Sequence, residues 1–348
     1  MKPAAPVMAI RRALSSISAT ADLYSPAAVF RPTTPGARPR SKWAPIVKGA
    51  AAAALAAAIT VPLVRKRLRI PPPVTVAAIA AGPPALAVLR PRTRGRDAAL
   101  YALQMWAFLH AKDLPHDDPA ALRRRLRVDY PIRADLLLGG GELPTVRLQR
   151  ALQGLGRANA LDRTLSWVHW LWFFEPHSAL VWILAKHPEH FPRSARQMSA
   201  VFDLGCAVYA AVPTAPPWWA CAEGHTDQKT RRIMVEVGER QWGRAWDRMY
   251  ATLGGNPWAA MPSLHFAASL MAAILLSEAG AAEGTVGWAY AAALGFALVY
   301  LGEHYAVDLL AGAALVVAVR RGESLAEPVA TAVSSALQQL EGIANPSR

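Results

Sequence analysis

Charge is scarce in this 348-residue sequence: Asp, Glu, Lys and Arg make up 18% of it, against 53% hydrophobic residues. Soluble domains usually carry about a quarter charged residues, so the shortfall argues against a soluble globular protein and for a membrane one. Cysteine is nearly absent. Cys206 and Cys221 form no C-x-x-C pair and suggest neither a metal nor a redox site. Acidic residues are missing from one region: residues 1–100 hold sixteen Lys and Arg against only Asp22 and Asp97. The formal net charge of +14 therefore sits entirely there, because the remaining residues balance at 22 against 22. A basic segment beside apolar runs is drawn to anionic lipid headgroups, and no nucleic-acid-reading module accompanies it, so nucleic acid is not an expected partner. A continuous apolar leader is also lacking from the first forty residues, which are rich in Pro, Ser, Ala and Arg. Internal helices are expected to act as uncleaved insertion signals.

Long apolar runs are what the sequence does have. A helix crossing a bilayer needs roughly 17 to 25 mostly apolar residues. Runs at 49–64 and 73–89 are borderline, the first dominated by alanine and the second interrupted by Pro83 and Pro84. Basic clusters follow both, so charge does not orient the pair, and a hairpin that does not fully span is an open alternative. Clearer candidates are 164–185, 194–214, 259–277, 285–302 and 305–319. The expected fold is all-α, a polytopic bundle of about six core transmembrane helices plus the N-terminal hydrophobic hairpin. The expected organisation is a disordered basic tail (1–45), the hairpin (46–98), a membrane domain (99–321) and a polar C-terminal tail (322–348). Within the linker before 259, residues 231–250 place Val235, Trp242, Trp246, Met249 and Tyr250 at helical spacing among basic residues. That pattern fits a helix in the headgroup zone or one packed on the bundle.

Two short segments carry chemistry. NPWAAMPSLHFAASL (256–270) puts Ser263 and His265 at a helix start, and VYLGEHYAVDLLAG (299–312) puts His304 and Asp308 at another. One descending and one ascending helix separate them, so both starts return to the same membrane face. The i, i+4 spacing of His304 and Asp308 stacks them on one helical face. A carboxylate there fixes the imidazole tautomer and frees the other nitrogen as a base or nucleophile. At Ser263, first-turn amides and the helix dipole favour a bound anion, and Pro262 suits a helix start. Glu175, His177, Asp203 and His169 are further ionisable residues in the apolar runs, read as polar contacts between helices or as pocket lining.

MPSLH followed by GEHYAVD resembles the type 2 phosphatidic acid phosphatase superfamily, with its P-S-x-H and H-x-x-x-D motifs. AMPSLH, GEHYAVD and the upstream PTAPP (213–217) are more narrowly similar to the branch containing inositol phosphorylceramide synthase and its bacterial relatives. The resemblance covers about residues 130–320. It implies a lipid phosphatase or phosphotransferase that needs no metal or other cofactor. His304 would be the nucleophile, Asp308 its orienting partner, His265 the general acid and base, and Ser263 a phosphate ligand. It also implies a plasma-membrane enzyme whose site faces the extracytoplasmic side, acting on a lipid phosphate among membrane lipids. Neither the lipid nor the oligomeric state is fixed by it.

Two positions depart from the superfamily pattern. An arginine expected six residues before the nucleophile is Leu298, and a cation expected just after the prolines is Trp218. Charge stabilisation of the transition state is often the largest catalytic contribution, so other cations must serve. Lys229, Arg231 and Arg232 are the candidates, since their loop joins the helix ending at PTAPP to the one starting at MPSLH. The alternative is a catalytically impaired relative that binds lipid phosphates or serves a structural membrane role.

Overall fold

The computed structural model describes residues 42–152, 160–253 and 257–345. The expected basic tail, 1–45, lies outside these residues except for its last four. Among the described residues the regular elements are α-helices and one 3-10 turn, with two isolated β-bridges. Helix α1, Ala44–Leu68, is rich in alanine, the best helix former. It ends where Arg69 turns left-handed (φ 52°) and its N–H bonds back to the Arg65 carbonyl. Pro71 caps and Pro72 opens α2, Pro72–Leu89, as the fixed φ of proline favours. The two pack through small residues: a Cβ added to Gly82 would lie 2.9 Å from that of Ala58. In α3, Arg94–Ala111, the Trp106 indole donates to the Ala58 carbonyl at 3.1 Å.

The rest of the chain forms α4 (Pro119–Arg125), α5 (Asp129–Leu138), α6 (Pro144–Leu152), α7 (Ala160–Leu171), α8 (Glu175–Lys186) and α9 (Phe191–Ala211). After them come α10 (Pro217–Ala222), α11 (Ile233–Trp242), α12 (Arg244–Leu253), α13 (Leu264–Ala279), α14 (Ala281–Tyr300) and α15 (Ala306–Ala344). The main core joins Leu180 and Ile183 of α8, Met198 and Phe202 of α9, Met271 and Leu275 of α13, and Val316 of α15. A second cluster joins Leu165 of α7, Ile233 and Val237 of α11, and Ala297 and Tyr300 of α14. Helices α1, α2 and α14 are long and apolar enough to cross a membrane; α13 is apolar but shorter.

A single residue, Gly280, separates α13 from α14. Glycine lets these helices approach closely, since a Cβ at Gly287 would sit 2.7 Å from the Ala273 Cα. The hairpin returns the chain to the end from which α13 began, as the helix count implies. At the opposite end, Arg193 pairs with Glu278 and Glu323, each at 2.8 Å, and Arg320 with Glu278 at 2.5 Å. Gln197 donates to Glu323 at 2.6 Å and accepts from Arg320 at 2.9 Å. This network ties α9, α13 and α15 together away from the histidines.

Three elements differ from expectation. The run at 164–185 is not one helix: a turn at 172–174 separates α7 from α8. Pro176, with no N–H and a φ suited to a first turn, lies in the first turn of the second piece. The segment 231–250 likewise breaks at Gly243, whose φ is 49°. It packs on the bundle, burying Trp246 against Gly238 while Trp242 stays 37% exposed. Finally, α15 continues unbroken past Arg320 and Arg321 to Ala344.

Candidate active site

The loop between α14 and α15 is shaped by Gly302 (φ +82°), whose missing side chain leaves room for the Arg231 carbonyl. His304 lies in this loop, not on a helix, because α15 starts only at Ala306. The stacking of His304 and Asp308 on one helical face is therefore corrected. Asp308 sits in the first turn of α15 and reaches back across the helix start. Its Oδ2 accepts from the Tyr305 N–H at 2.9 Å and lies 3.2 Å from His304 Nδ1. Both side chains are buried, His304 4% exposed and Asp308 0%. With a carboxylate on Nδ1, the His304 proton belongs there and the lone pair on Nε2.

That Nε2 faces His265, whose Nδ1 is 3.2 Å away. The rings meet edge to face, centroids 5.4 Å apart. His265 enters from the first turn of α13, where the Ser263 hydroxyl accepts the Phe266 N–H at 3.3 Å as the helix cap. The Leu264 N–H bonds to the Tyr209 hydroxyl at 3.2 Å. Two of the first-turn amides expected to be free for an anion are thus engaged within the protein, while the Ser263 hydroxyl keeps its own proton to donate. The Ser263 N–H donates to the Asp308 carbonyl at 3.0 Å, and a Cβ at Gly312 would meet the Ser263 carbonyl at 2.8 Å. The helix starts bearing the two motifs are locked together.

PTAPP is fastened beside this pair by main-chain bonds. Thr214 donates to Trp258 at 2.9 Å and accepts from Ala260 at 3.2 Å, while Arg127 bonds to Pro213 and Ala215 on the other side. The segment after the prolines then presents Trp218, and the Arg232 guanidinium stacks over its ring at 3.8 Å. Arg232 also forks onto Glu303, the neighbour of His304, with Nε–Oε1 2.9 Å and Nη2–Oε2 3.1 Å. Arg231 pairs with Glu236. Its backbone is pinned by Gln149, which accepts from the Arg231 N–H at 3.0 Å and donates to its carbonyl at 2.9 Å. Lys229 is exposed. Of the three candidate cations, Arg232 is joined directly to the histidine loop by its side chain.

A residue that the sequence reading did not single out is Asp135, 0% exposed on α5. Its two carboxylate oxygens accept the Ala306 and Val307 N–H groups at 2.9 and 2.8 Å, capping α15 from a different helix. Burial raises its pKa to about 6, against the lowering effect of those two bonds. No local signal betrays this role, because the partner amides lie far along the chain.

The other ionisable candidates fall into two groups. Ser269 donates to Glu175 at 3.0 Å, Gln104 to Asp203 at 2.8 Å, and Tyr101 lies 2.9 Å from His177 Nδ1. These are polar contacts between helices. His169 instead lies against the His265–His304 pair, its ring centroid 5.0 Å from that of His265; Trp172 covers the His265 ring at 4.2 Å.

An imidazole whose lone pair is fixed by a carboxylate, opposed by a second imidazole able to give or take a proton, is equipped for phosphoryl transfer through nitrogen. No curated protein and no solved structure matches the chain. A family model described as the PAP2 superfamily matches residues 145–320, half of the chain, and takes in both motifs and PTAPP. The chain belongs to the PAP2 superfamily, whose membership supports a phosphatase or phosphotransferase type of function.

Proposed function

We propose that the chain is an integral membrane enzyme that hydrolyses or transfers the phosphoester of a lipid phosphate through a phosphohistidine on His304. The observation that carries this reading is the line Asp308–His304–His265, with 3.2 Å at each step. The His304 Nε2 lone pair attacks phosphorus. The bond to the leaving oxygen breaks, and that oxygen keeps the electron pair and takes a proton from His265. Water or an alcohol then loses a proton to His265 and attacks phosphorus, and the P–N bond returns its electrons to His304. Substrate enters between lone pair and proton, where the two rings now meet. Ser263 and Arg232 are the proposed phosphate ligands, with Arg231 and Lys229 further along the same loop.

The motif set AMPSLH, GEHYAVD and PTAPP favours the branch resembling inositol phosphorylceramide synthase, and hence an alcohol as acceptor. A plasma-membrane location with the site facing outward completes the reading. A second reading, an impaired relative that binds lipid phosphates, is favoured by the pairing of Arg232 with Glu303. Purified chain in detergent separates the two. Phosphate release from a lipid phosphate, with an acid-labile phosphoprotein that disappears in His304→Ala, is expected. Turnover without any phosphoenzyme would overturn the mechanism, and no turnover would favour the second reading.

A further inference from the structure

Resting on the phosphoryl-transfer reading, we infer that His169 is a third histidine of the site, a phosphate-binding residue that donates a hydrogen bond to a non-bridging phosphate oxygen. Its ring is 5% exposed, and neither nitrogen has a hydrogen-bond partner within the protein. Among the described residues it alone leaves two buried polar side-chain atoms unmatched. Each such atom costs about 1–3 kcal/mol, which is hard to reconcile with a ring that merely fills space. An apolar side chain would fill that volume without the penalty.

The position supplies the missing partner. The ring planes of His169 and His265 are tilted by 36° with centroids 5.0 Å apart, so a phosphate oxygen held beside His265 comes within reach of the His169 edge. His169 occupies the last turn of α7, and α7 stops two residues later at the 172–174 turn. A neutral imidazole keeps one N–H, and that is all a hydrogen bond to a phosphate oxygen requires. Helix α7 also packs on α14 beside Leu298, through Leu165 against Ala297, Tyr300 and Leu301. The arginine that the superfamily pattern places on α14 at 298 is thus replaced by a donor from the adjoining helix. A metal is the rival use for three histidines, but among the described residues no group of three His, Cys, Asp or Glu side chains is placed to hold one.

The test uses full-length protein in detergent and inorganic orthophosphate as probe, measured by calorimetry and as an inhibitor of lipid-phosphate turnover. His169→Phe keeps a flat ring without donors, and His169→Gln keeps an N–H. His169→Phe should weaken orthophosphate binding and raise KM roughly ten- to a hundredfold. His169→Gln should stay within about threefold of the parent, and neither should lower Tm by more than a few degrees. Equal orthophosphate affinity in the parent and His169→Phe would overturn the proposal, as would a parent that binds no orthophosphate. A fall in kcat and Tm without a change in affinity, shared by both variants, would also overturn it, since that is the signature of a packing role. Loss of the phosphoenzyme in His304→Ala with orthophosphate binding retained bears on the nucleophile alone. Absence of any phosphoenzyme in the parent would remove the parent mechanism while leaving the binding measurement decisive for His169.

Discussion

The guanidinium of Arg232 lies 3.8 Å over the ring of Trp218, the position at which a cation follows the prolines in the superfamily pattern. The charge absent from the sequence at that point is delivered by stacking, from a loop fourteen positions further on. Its other partner, Glu303, occupies the fork that suits two phosphate oxygens.

Removing that competing carboxylate should therefore help. Glu303→Gln is expected to lower KM for a lipid phosphate roughly three- to tenfold. Arg232→Ala should lower kcat roughly a hundred- to a thousandfold, as loss of a charge-stabilising donor does. Steady-state phosphate release measures both. If neither variant changes kcat or KM, Arg232 is a structural pair with Glu303 and nothing more.

Asp308 has two duties, the imidazole and the α15 cap. Asp308→Asn should cut turnover by roughly ten-thousandfold, the scale seen when a histidine loses tautomer control. It should also lower stability by about 1 kcal/mol through the weakened cap. Kinetics and thermal melting separate these, and a variant that melts normally and turns over normally would refute the assignment of the His304 proton to Nδ1.

Loss of His265 should depend on the leaving group. A positioned acid contributes roughly a hundred- to ten-thousandfold, and mostly for alkoxides of high pKa. His265→Gln should consequently lose far more activity on a lipid phosphate than on a nitrophenyl phosphate. Equal losses on the two substrates would assign His265 to binding instead.

Asp135 predicts a pH dependence of stability. Its folded pKa is about 6, raised by burial above the ordinary carboxylate value. The native state therefore binds a proton more readily than the unfolded one between roughly pH 4 and 6. Its contribution to stability is full below that window, falls as pH rises through it and is constant above. Asp135→Asn should flatten this slope in thermal melts across the same range; an unchanged slope would place the titration elsewhere.

The two motifs, the return of their helix starts to one end and the helical class were legible in the sequence because they depend on spacing and hydropathy alone. The geometry of the His304–Asp308 pair was not. The i, i+4 spacing suits a helical face, but Gly302 and the extended Tyr305 delay the helix start, and the carboxylate reaches back instead. The break at 172–174 is foreshadowed only by Pro176, and it is this break that brings Trp172 onto His265. Asp135 and His169 were hard to read for a shared reason. Asp135 caps amides of a distant helix and the His169 ring lies beside His265 of another, relations that no local pattern records.

On the phosphoryl-transfer reading, the backbone lock between the motifs has a kinetic meaning. The Ser263 N–H bonded to the Asp308 carbonyl, and the close approach at Gly312, keep the chain segments beneath the two histidines from parting. Room for phosphorus must then come from rotation of an imidazole. The resting enzyme carries its own competitive occupant, one ring sitting where the other's target belongs. Admission requires the exchange of one hydrogen bond for another and no rearrangement of helices.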